Sequence, residues 1–198
     1  MSGPSLPRAY FTSVPGGARG DGPTTVMVPD GDNRERLVCA DCGFVRYENP
    51  RIIVGAVCAW QDRILMCRRA IQPRVGTWCL PSGFMELGES TEDGARREVW
   101  EEARAAVDLV DLLAIYNLAH ISQVHLVYRA RMRSPDCAAG PESQEVALMT
   151  WDEVPWDALA YPNVAWALRQ HRAMRGQSNF APLGIPPQDQ TDEVVARR

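Results

Sequence analysis

Two apolar runs, "RIIVGAVCAW" (51–60) and "RILMCRR" (63–69), are separated by Gln61-Asp62, a spacing that predicts a β-hairpin. Apolar and polar positions alternate in "ISQVHLVYRARM" (121–132), and "EVALMTW" (145–151) reads as a further strand, with another near 108–116. The period changes after Ser90. There Ala95, Val99, Ala103 and Ala106 recur at helical spacing behind Ser90-Thr91-Glu92-Asp93, which has the form of a capping box, so a helix is predicted from there to about Ala106. "VPWDAL" (154–159) predicts a short helical turn, and "NVAWALRQHRAM" (163–174) an amphipathic helix entered through Pro162. Helices fall between groups of strands rather than after each one. The expected class is therefore α/β, with a mixed β-sheet sandwiched between helices rather than a doubly wound parallel sheet.

Composition bounds this picture. The Gly/Pro-rich residues 1–27 and the stretch 176–198 have little apolar pattern, and both are expected to be disordered. No run approaches the ~18 apolar residues of a membrane span, and no basic-then-apolar leader opens the chain. A soluble protein is expected, cytoplasmic by default, with an organellar leader in the Arg-containing head as the alternative. Of the six cysteines, Cys58, Cys67 and Cys79 sit among apolar residues, as buried free thiols of a reducing compartment do. A net charge of −4 argues against a nucleic-acid duplex as partner but leaves room for a nucleotide, which needs only a few local cations.

Candidate chemistry concentrates in "REVWEEA" (97–103). On a helix Glu98, Glu101 and Glu102 fall within roughly 100° of one another, and like charges at that spacing are unfavourable unless something cationic offsets them. Taken alone, the cluster reads as a solvated face with Arg96 and Arg97 as partners. Upstream, however, "LPSGFMELGES" places Gly83 and Glu89 in a tight loop that runs straight into the helix cap.

Gly83, five residues, Glu89, seven residues, then Arg97-Glu98-Val99-x-Glu101-Glu102 resembles the signature of the Nudix hydrolase family, a loop–helix–loop with G-x5-E-x7-R-E-U-x-E-E-x-G-U. The resemblance implies a Nudix fold and hydrolysis of a diphosphate bond with Mg²⁺, or Mn²⁺, as cofactor. Hard cations take oxygen ligands and neutralise the phosphate oxygens that repel an incoming nucleophile. By that resemblance Glu98, Glu102, Glu101 and the backbone carbonyl of Ser82 are the metal ligands, and Arg97 and Glu89 form an ion pair that holds loop to helix. The general base is expected to be Glu101 or a later glutamate. Arg104 stands where the family has Gly, so either a strained left-handed residue or a helix running on through Ala105-Ala106 is expected.

The likeness extends from about Val28 to Met174 through "YENPRIIVGAV", "CRRAIQPRVGTWCLPSGFMELGES" and "AGPESQEV", and is similar to a subgroup with a small N-terminal zinc ribbon, active on ADP-ribose, FAD, NADH or related dinucleotides. It implies a ribbon-like segment over 28–50 and a catalytic domain over 51–175. Glu145, with Glu142 as its alternative, is the late glutamate expected to close over the metals; an exposed acidic loop is the competing reading. Arg69, Gln123 and Tyr161 are candidate substrate contacts, since a dinucleotide needs cations for its phosphates and π-faces for its rings. Trp78 reads rather as core. Cys39 and Cys42 supply two of the four ligands that tetrahedral zinc takes, and Thr12–Gly17 stands where relatives have the other pair. Bound zinc is not expected. A metal-free remnant is preferred to the alternative, a homodimer in which each chain donates a pair. The expected partner is a small-molecule dinucleotide, with no nucleic acid and no membrane.

Overall fold

The computed structural model describes residues 22–190. The chain divides into two units, one up to Asn49 and one from Pro50. The arm expected over 1–27 lies outside the described residues up to residue 21, and the tail expected over 176–198 from residue 191 onward.

In the first unit β1 (Thr25–Met27), β2 (Arg36–Val38) and β3 (Val45–Arg46) form an antiparallel sheet in that order. β1 thus occupies the last residues of the expected arm. Beyond β2 the chain turns tightly: Gly43 N–H donates to the Cys39 carbonyl at 2.9 Å and Cys39 N–H to that of Phe44 at 2.8 Å. Backbone N–H groups of Cys42 and Asp41 point at the Cys39 sulfur and lower its pKa. Cys39 and Cys42 are the only Cys or His residues before Cys58, so this unit offers two of four zinc ligands and does not fit a complete single-chain site.

In the second unit the predicted hairpin forms. β4 (Arg51–Trp60) and β5 (Arg63–Arg69) turn through Gln61-Asp62 with Trp60 opposite Arg63. β6 (Trp78–Cys79) pairs with β5 and β7 (Ser82–Phe84) with β4. Helix α1 (Thr91–Ala103) is followed by β8 (Val107–Leu118), β9 (Gln123–Met132), β10 (Ser143–Met149) and helix α2 (Pro162–Ala173). The sheet runs β10-β5-β4-β9-β8, antiparallel except for the central β4–β9 pair, where Gly55 lies beside Val127. This is the mixed sheet the pattern predicts, with α1 packed on β4 and β7, and α2 on β8 and β4. Burial on both faces explains why β4 and β5 read as continuous apolar runs: Val54, Val57, Leu65 and Met66 are all inaccessible to solvent.

Three differences from the expected pattern have physical causes. Helix α1 stops at Ala103, three residues early, because Arg104 turns left-handed at φ 50°. Ile121, expected to open the strand over 121–132, instead ends a 3₁₀ turn over Ala119–Ile121, and left-handed Ser122 separates it from β9. Residues 176–190, expected to be unpacked, lay Phe180, Leu183 and Ile185 against the core, and Leu183 exchanges backbone hydrogen bonds with Leu113 and Ile115 at 2.9 and 2.8 Å. Three apolar side chains spaced along a polar segment leave no period to detect. No helix of the described residues is long and apolar enough to cross a membrane.

Leu65 lies at the centre of this core with no solvent exposure. Leu65→Ala is expected to lower unfolding free energy by about 2–5 kcal/mol through lost transfer energy and the cavity left behind. Urea denaturation checks this, and a loss below ~1 kcal/mol would mean that the core is looser than described.

Candidate active site

Helix α1 begins where the sequence places its cap: Ser90 Oγ accepts from Asp93 N–H at 3.1 Å. Ala95, Val99 and Ala103 are fully buried on its inner side. Two of the three carboxylates are buried as well, Glu98 at 8% exposure and Glu102 at 7%, one turn apart. The acids and the apolar stripe therefore do not occupy separate faces. Only Glu101 is exposed.

Arg97 gathers this region into one unit. Its guanidinium donates to Glu89 through Nε at 3.0 Å and Nη2 at 2.8 Å, a bidentate pair, and through Nη2 to the Phe84 carbonyl at 3.0 Å. Nη1 donates to Glu98 at 2.7 Å and to Glu101 at 3.0 Å. Glu89 also receives Glu86 N–H at 2.6 Å. These donors, Arg97 first, hold the Glu89 carboxyl at about 2, well below its ordinary 4.5.

The loop can lie this close because Gly83 has no side chain. A Cβ there would stand 2.4 Å from Glu98 Oε2. Beside it the Ser82 N–H donates to the Glu102 carboxylate, yet burial, followed by the charges of Glu98 and Glu142, pushes the Glu102 pKa up to about 8. Burial also raises Glu98, against the opposing pull of Arg97. Of these two buried carboxylates Arg97 pairs only with Glu98, while the outlying field of Arg69 reaches Glu102. As they stand, no three His, Cys, Asp or Glu side chains among the described residues converge on one point suited to a metal. The clustered carboxyl oxygens nevertheless fit a hard divalent cation, which would favour their ionised forms and replace part of the Arg97 contact.

At its far end α1 meets the segment that carries the late glutamates. Ala138 N–H and Gly140 N–H donate to the carbonyls of Ala103 and Glu102, each at 2.9 Å, so the helix terminus is capped by this segment. A Cβ on Gly140 would fall 1.7 Å from the Glu101 carbonyl, which excludes any other residue there. Glu142 follows, and its charge bears on both Glu98 and Glu102. Glu145, the residue expected for this role, instead pairs with Arg68 at 3.5 Å across β10 and β5, and its side chain is about half exposed at 52%. Of the two late glutamates, Glu142 is thus the one whose charge bears on the helix carboxylates.

Arg69 and Tyr161 come together as expected, with the Arg69 guanidinium 5.6 Å from the ring centroid. Arg74, which the sequence did not single out, lies 5.5 Å from the same ring. Gln123 belongs to a chain of polar groups: its Oε1 is 2.9 Å from His125 Nε2, and His125 Nδ1 is 3.1 Å from Asn163 Nδ2. The amide can only donate to Nδ1, so Nε2 carries the imidazole proton and donates to Gln123. Burial lowers the His125 pKa to about 4, which keeps the ring neutral. Trp78 packs partly buried against the core, and its carbonyl accepts Ala160 N–H at 2.8 Å.

A loop tied by Gly83, Glu89 and Arg97 to a helix bearing Glu98 and Glu102 is the unit that the resemblance implies. The sequence profile described as NUDIX domain matches residues 49–170, and that described as Nudix N-terminal matches residues 21–48; the chain belongs to the Nudix family. It is similar to a NUDIX hydrolase from Nitrosomonas europaea of known structure, at 40% identity and TM-score 0.78, covering 83% of this chain and 94% of that one. A MutT-like protein of Streptomyces ambofaciens is 37% identical over 102 residues, 52% of this chain and 64% of the relative. The ADP-ribose pyrophosphatase of Methanocaldococcus jannaschii is 25% identical over 115 residues, 55% of this chain and 67% of the relative. The chain thus spans about two thirds of the length of these two curated relatives.

The depressed Glu89 carboxyl contributes stability that is complete above its ordinary value of 4.5 and is lost as pH falls through about 2. Glu89→Gln is accordingly expected to melt below the wild type by a constant margin from pH 7 to 5, and by a shrinking one below that. Calorimetry over this range provides the check; a margin that widens towards low pH would contradict the ion pair.

Proposed function

We propose that this protein hydrolyses the diphosphate bond of a nucleoside diphosphate joined to a second moiety, such as ADP-ribose, FAD or NADH, to give AMP and a phosphorylated partner. The observation that carries the reading is the buried Glu98–Glu102 pair against Ser82-Gly83, two carboxyls whose joint ionisation folding alone disfavours. The archaeal relative from Methanocaldococcus, named an ADP-ribose pyrophosphatase, supports the substrate class.

Glu98 and Glu102, with Glu101 and the Ser82 carbonyl, are the residues that would hold Mg²⁺ or Mn²⁺. When bound, such a cation withdraws charge from phosphate oxygens and lowers the pKa of water. Around it the chain's own groups divide the work. Arg69 and Arg74 bind the diphosphate oxygens, and Tyr161 offers a ring face already bordered by both guanidinia. Gln123, its carbonyl oxygen engaged by His125, is left with an amide N–H₂ to donate to a sugar or base acceptor. Glu142 takes the proton of the attacking water, since it is the glutamate outside α1 whose charge reaches both helix carboxylates. Glu101 tempers Arg97, sharing the Nη1 that would otherwise serve Glu98 alone.

With ADP-ribose, FAD and NADH supplied separately with Mg²⁺, AMP is expected from at least one. Glu98→Gln and Glu102→Gln should each reduce kcat by about 10²-fold or more, and Glu142→Gln by about 10²–10⁴-fold. Absence of AMP from every substrate, or a Glu98→Gln protein as active as wild type, would defeat the proposal; tight binding of intact ADP-ribose in that case would identify a sensor.

A further inference from the structure

The second unit has a roomy cleft away from the candidate active site. Its cavity of about 730 Å³ lies where β4 ends in Ala59-Trp60 and β9 in Arg131-Met132, beside Trp151 and the C-terminal turn of α2. Ser82 pairs with Gly55 near the start of β4, and Gly55 precedes Trp60 by five residues, roughly 16 Å of strand. Helix α2 spans the same distance, with Tyr161 and Asn163 at its N-terminal end and His171 and Arg172 at the other. The volume is that of a small-molecule site.

Four guanidinia line the cleft, those of Arg129, Arg131, Arg172 and Arg175, against one carboxylate, Asp62. Arg129 is fully committed: it pairs with Asp111 and donates to the carbonyls of Met174 and Gln177 at 2.7 and 2.8 Å, which fixes the floor. The other three have no carboxylate partner within ion-pair distance among the described residues. Arg172 is held instead over the Trp151 ring at 4.4 Å from its centroid. In a chain of net charge −4 this is a local reversal of sign. His171 adds a ring at the edge of the cleft whose Nδ1 has no hydrogen-bond partner among the described residues. Burial first, then the charges of Arg129 and Arg175, depress its pKa to about 4 against the opposing pull of Asp111. A pocket in which Arg131, Arg172 and Arg175 outnumber the lining carboxylate Asp62, with Asp108 beside Arg131 and Asp111 engaged by Arg129, matches the needs of a phosphate, whose oxygens accept from several guanidinium groups at once.

We propose that this cleft is a second binding site, remote from the carboxylate helix, for a small phosphorylated anion. Arg131 and Arg175 grip the phosphate, Arg172 is pre-positioned by Trp151, and His171 Nδ1 gains the partner it lacks.

The test uses the full chain in EDTA, so that no divalent metal supports binding at α1, and follows backbone amide shifts while AMP or inorganic phosphate is added. Saturable shifts are expected in residues 129–132 and 171–177, and Arg131→Gln/Arg175→Gln should weaken the affinity by about tenfold or more. Both side chains are exposed, so the double variant should melt like wild type; if it does not, Arg175→Gln alone is read, with a severalfold weakening expected. Competition between the two probes means that phosphate alone is recognised, whereas AMP shifts without phosphate shifts mean that the nucleoside is needed too; either supports the proposal. Shifts confined to Gln123, Tyr161 and their neighbours, no saturable response to either probe, or an affinity unchanged by the substitutions would overturn it.

Discussion

Two carboxylates one turn apart on the inner side of a helix set the terms for the rest of the second unit. Burial and mutual repulsion both oppose their ionisation, and each surrounding element answers one part of that cost. Arg97 brings the positive charge, Ser82 brings a backbone donor, and Gly83 leaves the space in which the loop approaches. Glu89 in turn keeps Arg97 from collapsing onto Glu98 alone, by taking two of its nitrogens. Stability and reactivity are in tension here, because the arrangement that would serve a cation is costly without one.

The sheet turns that local arrangement into a site. The parallel β4–β9 pair brings the start of β9, with Gln123 and His125, beside the part of β4 that carries β7 and the loop. An antiparallel hairpin could not do this, since it would put the start of one strand against the end of the other. The N-terminal end of α2 then completes the rim through Asn163 and Tyr161.

Much of this was legible in the sequence wherever one local rule acted alone. The Ser90 cap, the Gln61-Asp62 hairpin and the loop-to-helix spacing were all readable because each depends on residues within about twenty positions. Ala95, Val99 and Ala103 likewise announced the inner side of α1, although not that Glu98 and Glu102 share it. Arg74, His125 and Asn163 were missed because each acquires its role from a partner 38 to 87 positions away. That Glu145 pairs with Arg68 while the charge of Glu142 bears on the helix carboxylates depends on tertiary placement, which no spacing rule supplies. Arg104 was flagged as irregular, and the structure resolves the alternatives: the helix ends there, left-handed, with the Arg104 N–H donating back to Trp100 at 2.9 Å.

That ending has a mechanical consequence. Because the carbonyls of Glu102 and Ala103 are capped from Gly140 and Ala138, the stretch carrying Glu142 is spliced to the helix carrying Glu98 and Glu102. Surface connections ordinarily absorb insertions and deletions freely, but here the length between Ala138 and Glu142 is gauged against the end of a helix. A single residue added there would advance Glu142 along the chain while both carbonyls stayed fixed. The segment behaves less as a linker than as a ruler, and drift in its length is tolerable only outside the three positions that read it.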